Sequence, residues 1–239
     1  VLTGAGDTSL SFNRNAAARA DRIIVDSECT KRDFVRVYGP SRQDISVVLL
    51  SVDERYARVT DAAVLQRVRQ RYALPESFML YVGTIEPRKN ISGLARALAL
   101  LPANVRTQFP LVVCGAIGWY SGAILEEIRA LGVSESIQFI GFAEHEDVPA
   151  LYSLATVFVY PSLYEGFGYP PLEAMSCGVP VITSNTSSLP EVVGEAAIMV
   201  DPRDDAALAR GIRLVLEDAD LRLSLSRKGM ERAKQFRWE

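Results

Sequence analysis

One histidine, three scattered cysteines and no surplus of positive charge are what this 239-residue chain has least of, and each scarcity removes a class of function. With 26 Lys and Arg against 29 Asp and Glu, the formal net charge of -3 leaves no electrostatic footprint for nucleic acid or an anionic membrane surface. Cys29, Cys114 and Cys177 are odd in number and form no CxxC pair, which argues against a disulfide framework and a zinc site and fits a reducing cytoplasm. The longest apolar runs, such as Ile45–Leu50 and Thr156–Tyr160, are strand-length, far below the roughly 20 residues a membrane span needs. The chain opens on Val1, with no Met, basic n-region or apolar h-region, so no signal peptide is read and a further segment is expected upstream. What is there is a globular composition, 49% hydrophobic and 23% charged, whose partner is expected to be a small molecule or another protein.

From about residue 75 onward, short β-branched runs alternate with helix-like segments, the pattern of parallel strands joined by right-handed crossovers. The expected strands are Phe78–Val82, Leu111–Cys114, Ile137–Ile140, Thr156–Tyr160, Val179–Thr183 and Ala197–Val200, apolar throughout as strands covered on both faces should be. Helices are expected at about 91–101, 121–131, 147–154, 171–177 and 204–217, and Ile124, Leu125, Ile128 and Leu131 mark one buried face. The fold class is α/β, a doubly wound Rossmann-like sheet. Residues 1–50 read separately as the tail of a preceding domain: a helix Asn13–Arg19, a strand Arg22–Val25, a helix Lys31–Tyr38 and a strand Ile45–Leu50. Ser51–Thr60 reads as an inter-domain connection, 61–239 as the main domain, and Leu221–Glu239 as a charged terminal helix ending in Phe236-Arg237-Trp238.

Ligands of an open parallel sheet bind beyond the carboxyl ends of its strands. The loop after Phe78–Val82, Gly83-Thr84-Ile85-Glu86-Pro87-Arg88-Lys89-Asn90, puts a glycine and two adjacent cations before a helix, an anion site by charge and by helix dipole. Its alternative is that Asn90 only caps the helix and the cations are solvated. The loop after Thr156–Tyr160 runs from Pro161 to Glu173 and sets Gly166 and Gly168 around Phe167, ahead of Pro170 and Pro171 at a helix start. Its carboxylates, Glu165 and Glu173, suit a hydroxyl-rich ligand because they accept hydrogen bonds from sugar or ribose OH groups, although Glu173 could simply complement the helix dipole. Two weaker signals are Cys114-Gly115-Ala116-Ile117-Gly118 and Thr3-Gly4-Ala5-Gly6-Asp7, read as close backbone packing rather than a dinucleotide fingerprint. His145 is expected at the surface, and Asp218-Ala219-Asp220, despite its DxD spelling, lies away from the loop edge; no metal is assigned.

The stretch YEGFGYPPLEAMSCG at 164–178 resembles the E-x7-E signature of the retaining glycosyltransferase family 4, with YVGTIEPRKN at 81–90, FIGFAEHEDVPALYSLATVFVYPS at 139–162 and GVPVITSNTSSLPEVVGEAAIMVDP at 178–202 as supporting matches. The resemblance implies the GT-B architecture of two facing Rossmann-like domains, acceptor bound mainly by the first and nucleotide sugar by the second, with this chain similar to the second. It implies that Arg88 and Lys89 hold the donor diphosphate with backbone from Gly166 to Gly168, that Glu173 binds the ribose, that Glu165 holds the transferred sugar, and that Gly141 and Phe142 pack near the base. Gly83 and Thr84 complete the donor loop; the family often carries Arg where Thr84 stands, and Arg88 is the candidate substitute. The wording of the TIEPRKN and SSLPEVVGEAA stretches is closest to bacterial mannosyltransferases of polysaccharide assembly, implying GDP-mannose as donor, a saccharide or lipid-linked acceptor, and no metal or other cofactor. The implied setting is cytoplasmic, any association with the inner membrane face being left to the upstream domain. The rival readings are a nucleotide-sugar-binding module without activity of its own, an epimerase of the same architecture, a pyridoxal-dependent phosphorylase and an NAD-linked oxidoreductase.

Overall fold

In a computed structural model, residues 15–39 and 44–237 are described, and the chain divides into two compact units, Val1–Leu50 and Ser51–Glu239. The Thr3–Asp7 glycine pair and the proposed helix start at Asn13 lie outside the described residues; residues 15–19 are helical.

The first unit contains a βαβ crossover. Strand β1 (Arg22–Val25) pairs in parallel with β2 (Asp44–Val47), Ile23 opposite Ile45, and helix α1 (Glu28–Tyr38) connects them. The helix starts three residues before the expected Lys31 because the Ser27 hydroxyl accepts from the Thr30 amide and caps it there. Strand β2 stops at Val47, short of the expected Leu50; the last ladder bond runs from the Val48 amide to the Val25 carbonyl, where β1 also ends.

In the second unit, strands β3 (Met79–Val82), β4 (Leu111–Cys114), β5 (Ile137–Gly141), β6 (Val157–Tyr160), β7 (Val181–Ser184) and β8 (Ile198–Val200) form one parallel sheet in the order β5-β4-β3-β6-β7-β8. The expected α/β doubly wound sheet is therefore present. The six expected strands all exist, Leu111–Cys114 at the expected bounds and the others with ends no more than two residues away; β7 begins at Val181 rather than Val179 because Pro180 has no N–H to donate and enters the ladder only through its carbonyl, which accepts from Phe158. Leu80, Val113, Phe158, Val159 and Tyr160 are fully buried, as strands covered on both faces require.

The crossovers carry helices α3 (Ile91–Ala99), α4 (Ala103–Gln108), α5 (Ser121–Ala130), α6 (Val148–Leu154), α7 (Tyr169–Ser176) and α8 (Leu189–Val193), followed by α9 (Asp205–Glu217) and α10 (Ala219–Lys234). Helix α3 packs on α5 and α9, and α7 on α10. Three helices had no counterpart in the expectation: α4, α8 and α2 (Ala62–Arg71). Helix α2 buries only Val68 and is fixed by Arg67 and Arg71 on the buried Asp147, 2.9 and 3.0 Å away, an anchor no local periodicity reveals.

Asp218 caps α10 by accepting from the Leu221 amide, which accounts for the DxD spelling. Residues 51–60 lie along this unit, the Val52 amide bonding the Phe236 carbonyl and the Val59 amide bonding Ser153 Oγ. Among the described residues, no helix is long and apolar enough to cross a membrane, and no three metal-ligating side chains cluster.

Candidate active site

The strand order reverses at β3. From there the chain winds outward through β4 and β5, then returns to place β6 on the other side of β3. A reversal of this kind opens a crevice between the two loops that leave the paired strands, here residues 83–90 and 161–168. The two loops thought richest in chemistry thus become neighbours although some 75 residues separate them, and the Leu163 amide bonds the Arg88 carbonyl directly.

Arg88 and Lys89 lie in a 3-10 turn, Pro87–Lys89, ahead of α3. Helix α3 carries its own cap. Asn90, left-handed at φ 59° and buried, accepts from the Gly93 amide and donates Nδ2 to the carbonyls of Pro161 and Pro202. A Cβ on Gly93 would meet the Asn90 amide oxygen at 2.5 Å, so glycine is required there. Asn90 thus caps α3 through the Gly93 amide, and Arg88 and Lys89 stand just ahead of that cap with Glu86 beside them.

Those cations converge on Glu165. Its Oε1 accepts from Lys89 Nζ at 2.7 Å, Tyr160 OH at 2.8 Å and Ser162 Oγ at 2.7 Å, and its Oε2 accepts from Arg88 Nη1 at 2.8 Å. Arg88 Nη1 also donates to the Tyr164 carbonyl, and Nη2 to Glu86 Oε1 at 2.7 Å. Burial pushes the Glu165 carboxyl up, but the charge and hydrogen bond of Lys89, the Ser162 hydroxyl and Arg88 outweigh it and hold the group below the usual carboxylate range. The Tyr160 phenol moves the other way, raised by burial and then by the Glu165 charge, so it stays protonated and donates.

The loop after β7 fixes the other side. The Ser188 hydroxyl sits between the carbonyls of Phe167 and Glu165, 2.6 and 3.0 Å away, donating its one proton to this pair, Ser187 Oγ accepts from the Glu165 amide, and Ser184 Oγ donates to the Ser162 carbonyl. Phe167 is buried against Tyr169 and Phe236, so it anchors the loop rather than facing the crevice. Gly166 stays half-buried beside it, and Gly168 caps α7 at φ 122°, where a Cβ would meet Leu189 at 2.9 Å. Pro170 and Pro171 remove two first-turn donors from α7, and the Leu172 amide turns back to the Gly168 carbonyl, which narrows the expected ring of free N–H groups.

Glu173 is not in this cluster. Its Oε2 accepts from Tyr152 OH of α6 at 2.9 Å, and Tyr56 lends a second hydrogen bond. Burial pushes its carboxyl up, and the two phenols lower it less than burial raises it. The two acids of the 161–173 loop therefore occupy different surroundings, one rich in cations and one lined by tyrosines.

The remaining candidates lie on neighbouring loops. The Gly83 amide bonds the Cys114 carbonyl, and a Cβ on Gly115 would overlap the Gly83 carbonyl, so Gly115 serves close backbone packing as expected. The Thr84 methyl would lie 2.6 Å from a Cβ on Gly118. Gly141, at φ 70°, accepts from the Gly115 amide, and Phe142 is exposed with its ring edge-to-face with His145, itself at the surface. Tyr160, Ser162, Ser187, Ser188 and Glu86 were not singled out from sequence. Tyr160 reads as strand core and the serines as loop filler, and only pairing across loops gives them a role.

A six-stranded parallel sheet of this order matches the fold of GT-B glycosyltransferase structures. Residues 66–232 match the family "Glycosyl transferases group 1", and the chain belongs to that family. It is 41% identical over 222 residues to the O-antigen chain mannosyltransferase B of Escherichia coli, spanning 92% of this chain and 58% of that protein. It is 34% identical over 223 residues to the serotype-specific mannosyltransferase WbdA of Escherichia coli, spanning 92% of this chain and 27% of that one. Among solved structures, the sucrose-phosphate synthase of Thermosynechococcus elongatus matches with a TM-score of 0.85 at 28% identity, covering 100% of this chain and 60% of that one.

Proposed function

We propose that the chain supplies the donor side of a mannosyltransferase of polysaccharide assembly, moving mannose from GDP-mannose to a saccharide or lipid-linked acceptor with retention of anomeric configuration. The observation that carries this reading is the convergence of Arg88, Lys89 and Glu165 where the strand order reverses. The O-antigen mannosyltransferases it is similar to support the choice of sugar.

Breaking the bond between the anomeric carbon and phosphate builds negative charge on the diphosphate and positive charge on the sugar ring. Cations placed at the first and a carboxylate at the second both lower the barrier, because they act where charge develops. In this reading Lys89 and Arg88 take the diphosphate, exchanging part of their contact with Glu165 for phosphate oxygens, and Arg88 stands in for the Arg that Thr84 does not provide. Glu165, ionised and held by Tyr160 and Ser162, accepts hydroxyls of the sugar. Glu173 takes the ribose hydroxyls, and the exposed Phe142 ring with Gly141 flanks the base. Retention proceeds by same-face attack, the leaving phosphate taking the acceptor proton, without a metal.

The test is calorimetric titration with GDP, UDP, ADP and their sugar conjugates, repeated on Lys89→Ala and Glu173→Ala. Selective guanine-nucleotide binding that weakens in both variants is the expected result; selective uridine-nucleotide binding overturns the donor, and binding that neither variant weakens overturns the site. The chain spans somewhat over half the length of the O-antigen relative, which favours a second reading, that residues 1–239 alone bind donor without transferring sugar. Turnover by the isolated chain would exclude it.

A further inference from the structure

The loop after β4 carries a feature that the donor reading leaves unused. Trp119 and Tyr120 stand 58% and 74% exposed, their rings edge-to-face at 5.2 Å, whereas Tyr81, Tyr152 and Tyr160 are fully buried. Their position is rigidly set. The Gly118 amide bonds the Ile85 carbonyl, Ile85 bridges Ile117 in parallel, and Gly118 sits so close to Thr84 that any larger residue would collide. Tyr120 is held left-handed at φ 55°, a conformation costly for a bulky residue that tends to persist where a site needs it. The indole is oriented as well. Trp119 Nε1 donates to Glu86 Oε2 at 3.0 Å, and Glu86 Oε1 accepts from Arg88 Nη2, so a continuous polar chain runs from the indole through Glu86 and Arg88 to Glu165.

We infer that Trp119, Tyr120 and Glu86 form a hexopyranose-binding subsite beside the charged cluster. A pyranose ring offers an apolar C–H face and a rim of hydroxyl donors. The exposed aromatic faces match the first, and the Glu86 carboxylate, which has about four lone-pair positions with two engaged, can accept from the second. With its N–H already satisfied by Glu86, the indole has only its faces left to offer, which favours a stacked ring over a hydrogen-bonded peptide. The inference rests on the transferase reading for its biological sense. The ring itself can belong to the acceptor saccharide or to the sugar of the donor.

The chain has two tryptophans, so Trp238→Phe leaves Trp119 as the sole indole reporter. In that background mannotriose should change the emission saturably, and GDP alone should not. A response to GDP-mannose but not to mannotriose assigns the ring to the donor; a response to mannotriose assigns it to the acceptor. Tyr120→Ala, which leaves the Glu86 contact untouched, should weaken mannotriose binding about fivefold, and Trp119→Ala at least as much with rescue by Trp119→Phe, while calorimetric GDP binding by the Tyr120 variant stays unchanged. No response to either sugar while GDP still binds overturns the subsite and leaves the transferase reading intact. Concentration-dependent self-association abolished by Tyr120→Ala, without a sugar response, would make the patch a protein interface instead.

Discussion

Glu165 and Glu173 stand eight residues apart in one motif, yet their surroundings move their carboxyls in opposite directions. Both are largely withdrawn from water, so desolvation acts on each in the same sense. The difference is the company. Glu165 receives two cations from the β3 loop, a serine and a phenol, and is stabilised as an anion. Glu173 receives hydrogen bonds from two phenols, on α6 and at Tyr56, while the charges of Asp53 and Arg55 act on it in opposite senses, and burial prevails. Two carboxylates of one loop can thus be prepared for different work, one as a fixed charge beside other charges, the other as a hydrogen-bond acceptor whose ionisation costs the fold.

The largest effect should come from taking the cation away from the first region. Lys89→Met is expected to weaken nucleoside-diphosphate binding by about 100-fold or more in calorimetry, the cost of truncating a buried, hydrogen-bonded charge partner. Next is Glu165→Gln. It leaves Lys89 and Arg88 without their shared anion and should lower stability at pH 7 by about 3 kcal/mol, a fall of roughly 6–12 °C in Tm. Because the folded pKa of Glu165 lies below its unfolded value of about 4.3, this deficit is full at neutral pH and should shrink as pH falls below about 4 through the folded pKa. Thermal unfolding of both proteins as a function of pH checks the sign.

Glu173→Gln sharpens the contrast because its pH dependence runs the other way. The folded pKa of Glu173 is raised, so its ionisation destabilises the fold as pH climbs from the unfolded value through the folded one. The variant should equal or exceed the parent in Tm at pH 8 and lose that advantage near pH 4, while its nucleotide binding falls. If instead Glu173→Gln destabilises as strongly as Glu165→Gln, the two surroundings are not different in kind. The smallest effect is expected from Tyr152→Phe, which removes one hydrogen bond from Glu173 at a cost of about 1 kcal/mol and should push that carboxyl further up, readable by carboxylate NMR titration.

Much of this arrangement was legible in the residues. The strands announced themselves because a strand buried on both faces must be apolar at every position, as Leu111–Cys114 and Val157–Tyr160 are. The two site loops stood out because glycine, proline and paired charges cluster where ligands bind an open sheet. Helix α2 did not stand out, since its hold on the fold is ionic and comes from Asp147. The burial of the Phe167 ring was not legible either, because its packing against Phe236 depends on the return of α10.

By itself, the sequence determined the sheet class, the loops that carry chemistry and the residue types in them, because periodicity and turn chemistry are local properties of the chain. Only the tertiary structure decided which of those residues share a charge. Lys89 and Arg88 meet Glu165 because the strand order reverses between β3 and β6, and Glu173 is left to Tyr152 and Tyr56 because α6 and residues 51–60 close over it. Electrostatic character depends on distance and burial, and neither is written in the spacing of eight residues along a chain.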